Sequence, residues 1–417
     1  MLLVFAHQDH PRLRYVLSEV FGRRLGLRVS IETNLAAFEA SSEPMKLAYS
    51  VEPVLGSVWI CPCGLLSEGA TLVPKIQVTN GLTVLYPGPG DLGYDLLAMA
   101  FWSLSRMEEY GVVSRDSFGR FAAASSLFYR SGCLEEPVLD ASLALLYEAL
   151  GLTAPAAFSI QPSIDIDIAY QFKGRGVGRA AGAAIKQLRF TQRRIKALLG
   201  GPDAHDPQTT VLPTLKEHPK TRVFLLANKR VNTFNKQVRR QFKPFQEAVK
   251  DLAQTGLLGL HPSVQKRRAE IRWAEEKAWI EQTGESELTH SRQHYIHFSF
   301  PNTYRQLIEL GIKHDYSMGY PETPGFRAGT AYPFAWYDLE KEEATELILH
   351  PFCLMDVTCK GYQKLSVEGS IELGQLLKSR VRATGGEFGF IFHNESLSDS
   401  GPWKGWRRVF ESWAHDG

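Results

Sequence analysis

The most informative segment of the chain is Ser163-Ile164-Asp165-Ile166-Asp167, which lies at the end of the strand-like apolar run Ala157–Ile168. Residues two apart in a strand point to the same face of a sheet, so both carboxylates should share one face. Two like charges this close are costly unless a cation lies between them or one of them is protonated. The pattern therefore predicts a metal site or an acid–base site. The alternative is structural, with Asp167 capping the next helix and Asp165 solvated.

Strand-like runs alternate with long helical runs from this stretch to the C-terminus. The further strand-like runs are Arg222–Leu226, Leu257–Leu260, His314–Met318, Leu347–Leu349 and Phe388–Phe392. The helical runs are Val264–Gln282, Pro301–Leu310 and Val367–Thr384. Such alternation indicates parallel strands joined by crossover helices, and in these folds the chemistry collects at the carboxyl ends of the strands.

Four more polar side chains stand near the ends of predicted strands. His261 follows an apolar strand and His294 precedes the start of a helix, and neutral imidazole is a common metal ligand. Arg327 lies in a glycine-flanked loop that would aim its guanidinium at a carboxylate such as Asp165. His393 ends an apolar strand, which suits a general acid. For each of the four, a buried structural role is the alternative.

The pentapeptide Gly151-Leu152-Thr153-Ala154-Pro155 predicts a joint between two domains. We predict a smaller mixed α/β domain over residues 1–155 and an α/β domain over residues 156–417, whose length suits a barrel. The helices predicted in the first part are Arg12–Leu25, Asp91–Tyr110 and Leu139–Leu150. The strands predicted there are Leu27–Ile31, Ser57–Ile60, Lys75–Val78 and Thr83–Leu85.

The composition is that of an ordinary globular protein. Of the 417 residues, 44% are hydrophobic and 22% are charged, which argues against a disordered or fibrous chain. No apolar run reaches the roughly 18 residues of a membrane span, and the N-terminus lacks the basic leader of a secretory signal. The five cysteines form no zinc-ribbon pattern and favour reduced thiols, so we expect a cytoplasmic protein.

The formal net charge of +2 is unevenly distributed along the chain. Residues 173–250, here called the basic segment, hold 18 Lys and Arg against four acidic residues. The segment is either the solvated face of a helical excursion or a docking surface for an anionic polymer or a membrane. Nucleic acid is not expected as a partner, because the segment matches none of the usual nucleic-acid-binding motifs.

The order of these motifs resembles the polysaccharide deacetylase superfamily, the family-four carbohydrate esterases, and within it a bacterial branch with an extra N-terminal domain. The stretches of the second half that carry the resemblance are Ser163–Ala169, Gly259–Ser263, Arg292–Tyr295, Asp315–Tyr320, Gly325–Thr330, Met355–Thr358 and Phe392–Leu397. Those of the first half are Tyr94–Tyr110 and Gly119–Phe121. The resemblance implies a distorted (β/α) barrel of the glycoside hydrolase/deacetylase type. It also implies a hydrolase that removes N- or O-acetyl groups from an acetylated oligo- or polysaccharide with one divalent metal.

Carried over to this chain, the resemblance implies a role for each residue at the strand ends. Asp165 is expected to be the general base, and Asp167 and His261 are expected to bind the metal. The superfamily's second metal-binding histidine falls at Gln265 in this chain, so His294 is expected to take its place.

Two further residues complete the implied site. Arg327 is expected to orient the base, although the Pro-Tyr pair that follows this arginine in the superfamily is missing here, and His393 is expected to be the general acid. Zinc suits this nitrogen-rich set of ligands, although cobalt or nickel would also fit. Two other functions stay open. One is a non-catalytic glycan-binding or assembly module on the same fold, and the other is a glycosidase that uses Asp165 with Glu395 or Asp315.

Overall fold

A small parallel sheet forms near the N-terminus in the computed structural model, which describes residues 1–79, 81–111, 114–155, 157–174, 197, 200–265 and 269–416. Its strands are β1 (Leu2–Ala6), β2 (Val29–Glu32), β3 (Lys46–Tyr49) and β4 (Val58–Ile60), in the order β2-β1-β3-β4. All five residues of β1 are buried, because the apolar run at the N-terminus lies inside this sheet with a strand on either side. A separate antiparallel hairpin consists of β5 (Ile76–Thr79) and β6 (Leu82–Leu85).

Five α-helices lie in the described part of residues 1–155. They are Pro11–Leu17, Leu35–Ala40, Leu96–Ser105, Leu127–Arg130 and Val138–Ala149. The helix predicted over Arg12–Leu25 is an α-helix up to Leu17 and continues as a π-helix over Ser18–Arg23. The helix Leu96–Ser105 is buried at all ten residues, as its apolar sequence predicts.

A second, larger sheet is built by the residues from 158 onwards. Its strands are β7 (Phe158–Ile166), β8 (Arg222–Leu225), β9 (Leu258–Leu260), β10 (His290–Ser291), β11 (His314–Met318), β12 (Phe334–Asp338), β13 (Glu343–Pro351), β14 (Leu354–Met355) and β15 (Gly386–His393). Their order is β12-β13-β11-β10-β9-β8-β7-β15-β14, and every neighbouring pair except β12 and β13 is parallel. The predicted α/β class with parallel strands is thus confirmed.

Helices fill most of the connections between these strands. In the described residues they are Pro207–Glu217, Lys243–Gln254, Ala269–Gly284, Asn302–Glu309, Val367–Thr384, Asn394–Leu397 and Trp406–Ala414. The predicted helix Val264–Gln282 differs at its start. Val264 and Gln265 are not helical, and residues 266–268 lie outside the described part of the chain.

The larger sheet curls until its two sides meet at the short connection from β13 to β14. The Phe352 backbone N–H donates to the Met318 carbonyl of β11 at 3.1 Å, and the Cys353 N–H donates to the Gly389 carbonyl of β15 at 2.9 Å. A Cβ atom at Gly389 would overlap the carbonyl oxygen of Pro351, so glycine permits this close approach. The carboxyl ends of the parallel strands therefore surround one common opening.

The apolar core continues across the predicted joint at residues 151–155. One cluster of buried side chains contains Tyr15 and Phe101 from the first part and Trp336 and Tyr337 from the second. The ring of Tyr337 lies 4.9 Å from Tyr15 and 5.1 Å from Phe101, measured between ring centroids. The division into two domains stays a prediction, and the two parts share this core.

Two further predictions concern surfaces and membranes. Among the residues that the structure describes, no helix is long and apolar enough to cross a membrane. Within the basic segment, residues 175–196 and 198–199 lie outside the described residues. The docking surface predicted there stays a prediction.

Candidate active site

Five of the six residues that the sequence selects meet at the carboxyl edge of the curled sheet. Asp165 lies near the end of β7, and Asp167 follows that strand by one residue. His261 follows β9 directly, His294 lies three residues beyond β10, and His393 is the last residue of β15. The curl of the sheet places these strand ends around one opening, where a cavity is lined by all five side chains.

Three of these side chains can share one cation. Ligand atoms of Asp167, His261 and His294 all lie within 4.8 Å of one another. His261 Nε2 lies 3.1 Å from Asp167 Oδ1, and His294 Nε2 lies 3.5 Å from Asp167 Oδ2. Both histidines are almost fully buried, whereas the Asp167 side chain is 32% exposed and therefore open to the cavity.

Both imidazoles are oriented by a partner on their far side. His261 Nδ1 lies 2.6 Å from the Arg292 carbonyl, and His294 Nδ1 lies 3.0 Å from Asn235 Oδ1. The Asn235 amide is itself fixed, because its Nδ2 donates to the Val264 carbonyl. Because each Nδ1 faces an acceptor, the proton of each neutral ring lies on Nδ1. Nε2 then keeps a lone pair that can bind a metal.

The set of ligand atoms fits a divalent cation such as zinc. Asp167 Oδ1 is buried and has no hydrogen-bond partner within the described ranges of the chain. Two ligands held at about 2.0–2.1 Å in a tetrahedron lie about 3.3 Å apart, close to the distance between Asp167 Oδ1 and His261 Nε2. Two imidazoles and one carboxylate leave a fourth position open, as catalytic zinc sites do.

The pKa values of the three proposed ligands are shifted in different directions by their surroundings. Burial raises the pKa of Asp167, but His294, His261 and His393 outweigh it and hold this pKa well below its ordinary value. Burial lowers the pKa of His294 more than Asp167 raises it, so this imidazole is neutral and able to bind a metal. The pKa of His261 is raised, because Asp165 and Asp167 together outweigh its burial.

Asp165 is held by an arginine that the sequence analysis did not select. Arg292 Nη1 donates to Asp165 Oδ1 at 3.0 Å, and Arg292 Nε donates to the Tyr316 carbonyl at 3.0 Å. The guanidinium also lies 4.6 Å from the centroid of the Phe224 ring. Arg292 follows the two-residue strand β10 directly, and the signal that could have revealed it is its place in the stretch Arg292–Tyr295, two residues before His294.

Arg327 corrects a prediction, because it does not pair with Asp165. Its guanidinium forms a two-pronged ion pair with Glu109, with Nε donating to Oε1 at 2.8 Å and Nη2 donating to Oε2. Nη1 donates to the Gly319 carbonyl at 3.1 Å. The physical reason is that the turn Met107–Glu109 brings a buried carboxylate to the loop of Arg327. Arg327 thus has the buried structural role that the sequence left open.

His393 is held by a buried carboxylate, Asp356, which directly follows β14. His393 Nδ1 lies 2.8 Å from Asp356 Oδ1, while Nε2 faces the cavity and lies 3.8 Å from Asp167 Oδ2. Burial lowers the pKa of His393, but Asp356, Asp167 and Asp165 outweigh it and raise this pKa well above its ordinary value. Asp356 was missed although it lies in a quoted stretch, because no local pattern links it to His393.

Gln265 does not supply a ligand to this site. Its Nε2 donates to Ser263 Oγ at 2.6 Å, and that hydroxyl donates to the buried Glu276. The second imidazole of the cluster with Asp167 comes from His294 instead.

The backbone directly after His294 is in an unusual conformation. Tyr295 has φ 61° and ψ 11°, and Ile296 has φ 54°, so two successive residues with side chains are left-handed. Such a conformation costs about 1–2 kcal/mol per residue, and it is rarest for β-branched residues such as isoleucine. It persists only where surrounding contacts determine the backbone.

Tyr295, which lines the cavity, belongs to a group of three neighbouring aromatic rings. The rings of Phe234 and Tyr295 lie 5.4 Å apart, and Phe118 lies 5.8 Å from Tyr295 and 6.5 Å from Phe234. All three rings are partly exposed, and aromatic faces of this kind suit stacking against apolar faces of a ligand.

Several solved structures of low sequence identity are similar to part of this chain. A Mycobacterium smegmatis protein described as a polysaccharide deacetylase is 13% identical, with a TM-score of 0.40 over 62% of this chain and 85% of that chain. A polysaccharide deacetylase from Bacillus cereus is 14% identical, with a TM-score of 0.30 over 62% of this chain and 85% of that chain. Puue allantoinase is 10% identical, with a TM-score of 0.37 over 61% of this chain and 85% of that chain. No curated protein matches the chain. Residues 2–155 match the model of DUF7033, which is described as a family of unknown function.

Proposed function

We propose that this protein is a metal-dependent hydrolase that removes acetyl groups from a glycan. The observation that carries the proposal is the convergence of Asp167, His261 and His294 beside a carboxylate, Asp165, and an imidazole, His393. The same residues carry the sequence resemblance to polysaccharide deacetylases. In this proposal the curled sheet is a distorted barrel of that type, with seven parallel strands when β13 and β14 count as one.

A divalent cation is held by Asp167, His261 and His294 in the proposed enzyme. Zinc suits two imidazoles and one carboxylate best. When bound, such an ion makes a water molecule more acidic and polarises the acetyl carbonyl.

Asp165 is the proposed general base. Arg292 donates to its Oδ1 and so fixes the carboxylate, while Oδ2 points towards the ligands and lies 3.8 Å from His261 Nε2. A carboxylate in this position can accept the proton of the attacking water. General base help of this kind contributes about 10²–10⁴-fold to a rate.

His393 is the proposed general acid. Asp356 accepts from its Nδ1, so the second proton of the imidazolium lies on Nε2, which faces the cavity. The raised pKa, which Asp356 sustains against burial, keeps the ring protonated at neutral pH. His393 can then donate a proton to the departing nitrogen or oxygen of the sugar.

The test is an acetate-release assay on purified protein that is stripped with a chelator and then reloaded with zinc. N-acetylated oligosaccharides and an O-acetylated sugar ester serve as substrates. We expect acetate release only with the metal, and loss of both zinc binding and acetate release in Asp167→Asn. Zinc binding at one ion per chain without acetate release from any substrate would favour the glycan-binding module. Release of new reducing ends would favour a glycosidase.

A further inference from the structure

We propose that Arg120 is a positioning residue that holds the turn after His294 and thereby keeps this imidazole at the proposed metal site. The inference rests on the proposed function. It assigns to the first part of the chain, whose family has no known function, a direct role in building the site.

The loop that carries Arg120 is a tight turn stabilised by hydrogen bonds among its own residues. The Asp116 N–H donates to the Arg120 carbonyl at 2.9 Å, and the Gly119 N–H donates to the Asp116 carbonyl at 2.9 Å. The Asp116 carboxylate accepts from the backbone N–H groups of Phe118 and Arg120. It also accepts from Arg120 Nε at 2.6 Å, so contacts within the loop itself orient the guanidinium.

The fixed guanidinium contacts the left-handed turn beyond His294. Arg120 Nη1 donates to the Tyr295 carbonyl at 3.0 Å, and the arginine is only 3% exposed. The Phe118 ring, from the same loop, lies 5.8 Å from the Tyr295 ring. The loop also passes close to His297, because a Cβ atom at Gly119 would lie 3.5 Å from His297 Nε2.

His294 is the ligand that most needs such support. Asp167 and His261 each follow a strand by one residue, so the sheet fixes their backbones. His294 instead starts an irregular turn whose next two residues have positive φ angles. A conformation of that kind relaxes unless outside contacts hold it. Among the described residues, the side-chain hydrogen bond to the Tyr295 carbonyl comes from Arg120.

The experiment compares Arg120→Met with a matched control in full-length protein. Arg120→Met keeps most of the side-chain volume and removes every side-chain donor. Arg115→Met removes an exposed arginine of the same loop, whose Nη1 donates to the Gly119 carbonyl. Zinc affinity is measured by competition with a chelator, and amide hydrogen exchange of residues 293–297 is measured without metal. Arg120→Lys serves as a second variant, since it keeps the charge beside Asp116 but lacks the fork that reaches two partners.

We expect Arg120→Met to raise the zinc Kd about 10- to 100-fold, as partners behind metal ligands usually do, and to speed exchange at residues 293–297. Arg120→Lys should show the same changes to a smaller degree, and Arg115→Met should match wild type. In a His294→Ala background, Arg120→Met should leave the remaining zinc affinity unchanged, because its effect acts through His294. Wild-type exchange and wild-type zinc affinity in Arg120→Met would overturn the inference. Failure of the wild type to bind zinc would instead overturn the proposed function.

Discussion

Asp165 and Asp167 lie two residues apart and differ in everything except their side-chain type. Asp165 is 3% exposed and contacts the Arg292 cation, whereas Asp167 is open to the cavity and contacts three imidazoles. The arginine fixes the orientation of the Asp165 carboxylate, and the Asp167 carboxylate can share a cation with the nitrogens of His261 and His294. The two proposed roles therefore rest on the different surroundings of the two residues.

Asp165→Asn separates these two roles. We expect it to lower kcat for acetate release at least about 100-fold, because an amide cannot accept the water proton. Zinc affinity should change only a few-fold, because the three proposed ligands remain. Acetate release and zinc titration on the same preparation check this. Full activity of Asp165→Asn would show that another group is the base.

His393→Ala tests the proposed proton donor when substrates with different leaving groups are compared. Acetate release from an N-acetylated sugar should fall about 10²–10⁴-fold, because an amine leaves only after it is protonated. Release from an activated aryl acetate should fall less than about tenfold, because that leaving group needs no proton. An equal loss on both substrates would argue against an acid role for His393.

For single residues, the sequence predicts several side chains at the carboxyl edge of the sheet. It misses the residues that orient those side chains. His261 could be selected because strand periodicity and the carboxyl-end rule place it at the edge of the sheet, and His294 could be selected because it shortly precedes a predicted helix. Asn235 could not be selected, since its contact with His294 spans 59 residues and leaves no local pattern. Arg327 was misassigned for the same reason, because its partner Glu109 lies 218 residues away.

At the scale of elements, the ion pair between Arg327 and Glu109 joins the turn Met107–Glu109 to the Gly325–Thr330 loop. We expect Glu109→Gln to lower the free energy of unfolding by about 3–5 kcal/mol at pH 7, because it leaves a buried arginine without its charge partner. Glu135→Gln breaks an exposed ion pair with Arg380 and should cost less than about 1 kcal/mol. Urea denaturation of the three proteins measures both differences.

The pH dependence of that pair has a definite sign. Burial raises the pKa of Glu109, but Arg327 and Arg106 outweigh it and hold the folded-state pKa below the ordinary value. The resulting stabilisation is present above the unfolded pKa of about 4.3 and is lost as the pH falls through the folded pKa. The difference in stability between wild type and Glu109→Gln should therefore shrink below about pH 4.3. A difference that grows on acidification would contradict this assignment.

Elements were predictable where they are long and periodic. The helix Val367–Thr384 has the predicted bounds, and β7, β8 and β9 lie within one or two residues of them. β10 was not predicted, because two residues carry no periodicity, although both Arg292 and His294 depend on its position. β1 was assessed only as a secretory leader, and its role in the N-terminal sheet depends on strands that follow later.

At the scale of the whole molecule, the first part of the chain covers the second. Asp140 accepts from Thr330 Oγ1 at 2.6 Å and from the Ala331 N–H at 2.7 Å, and Arg24 completes this buried group. Because the apolar core is also shared, the two parts should unfold together. We expect one calorimetric transition whose van't Hoff and calorimetric enthalpies agree. Two resolved transitions would show that residues 1–155 and 156–417 are independent domains.

The proposed function depends on one cation shared by Asp167, His261 and His294. The most direct test is a crystal structure of the zinc-loaded protein with anomalous scattering recorded at the zinc edge. We expect one strong peak about 2.0–2.2 Å from an oxygen of Asp167 and from Nε2 of both histidines. No peak at this position, or zinc bound only elsewhere, would contradict it.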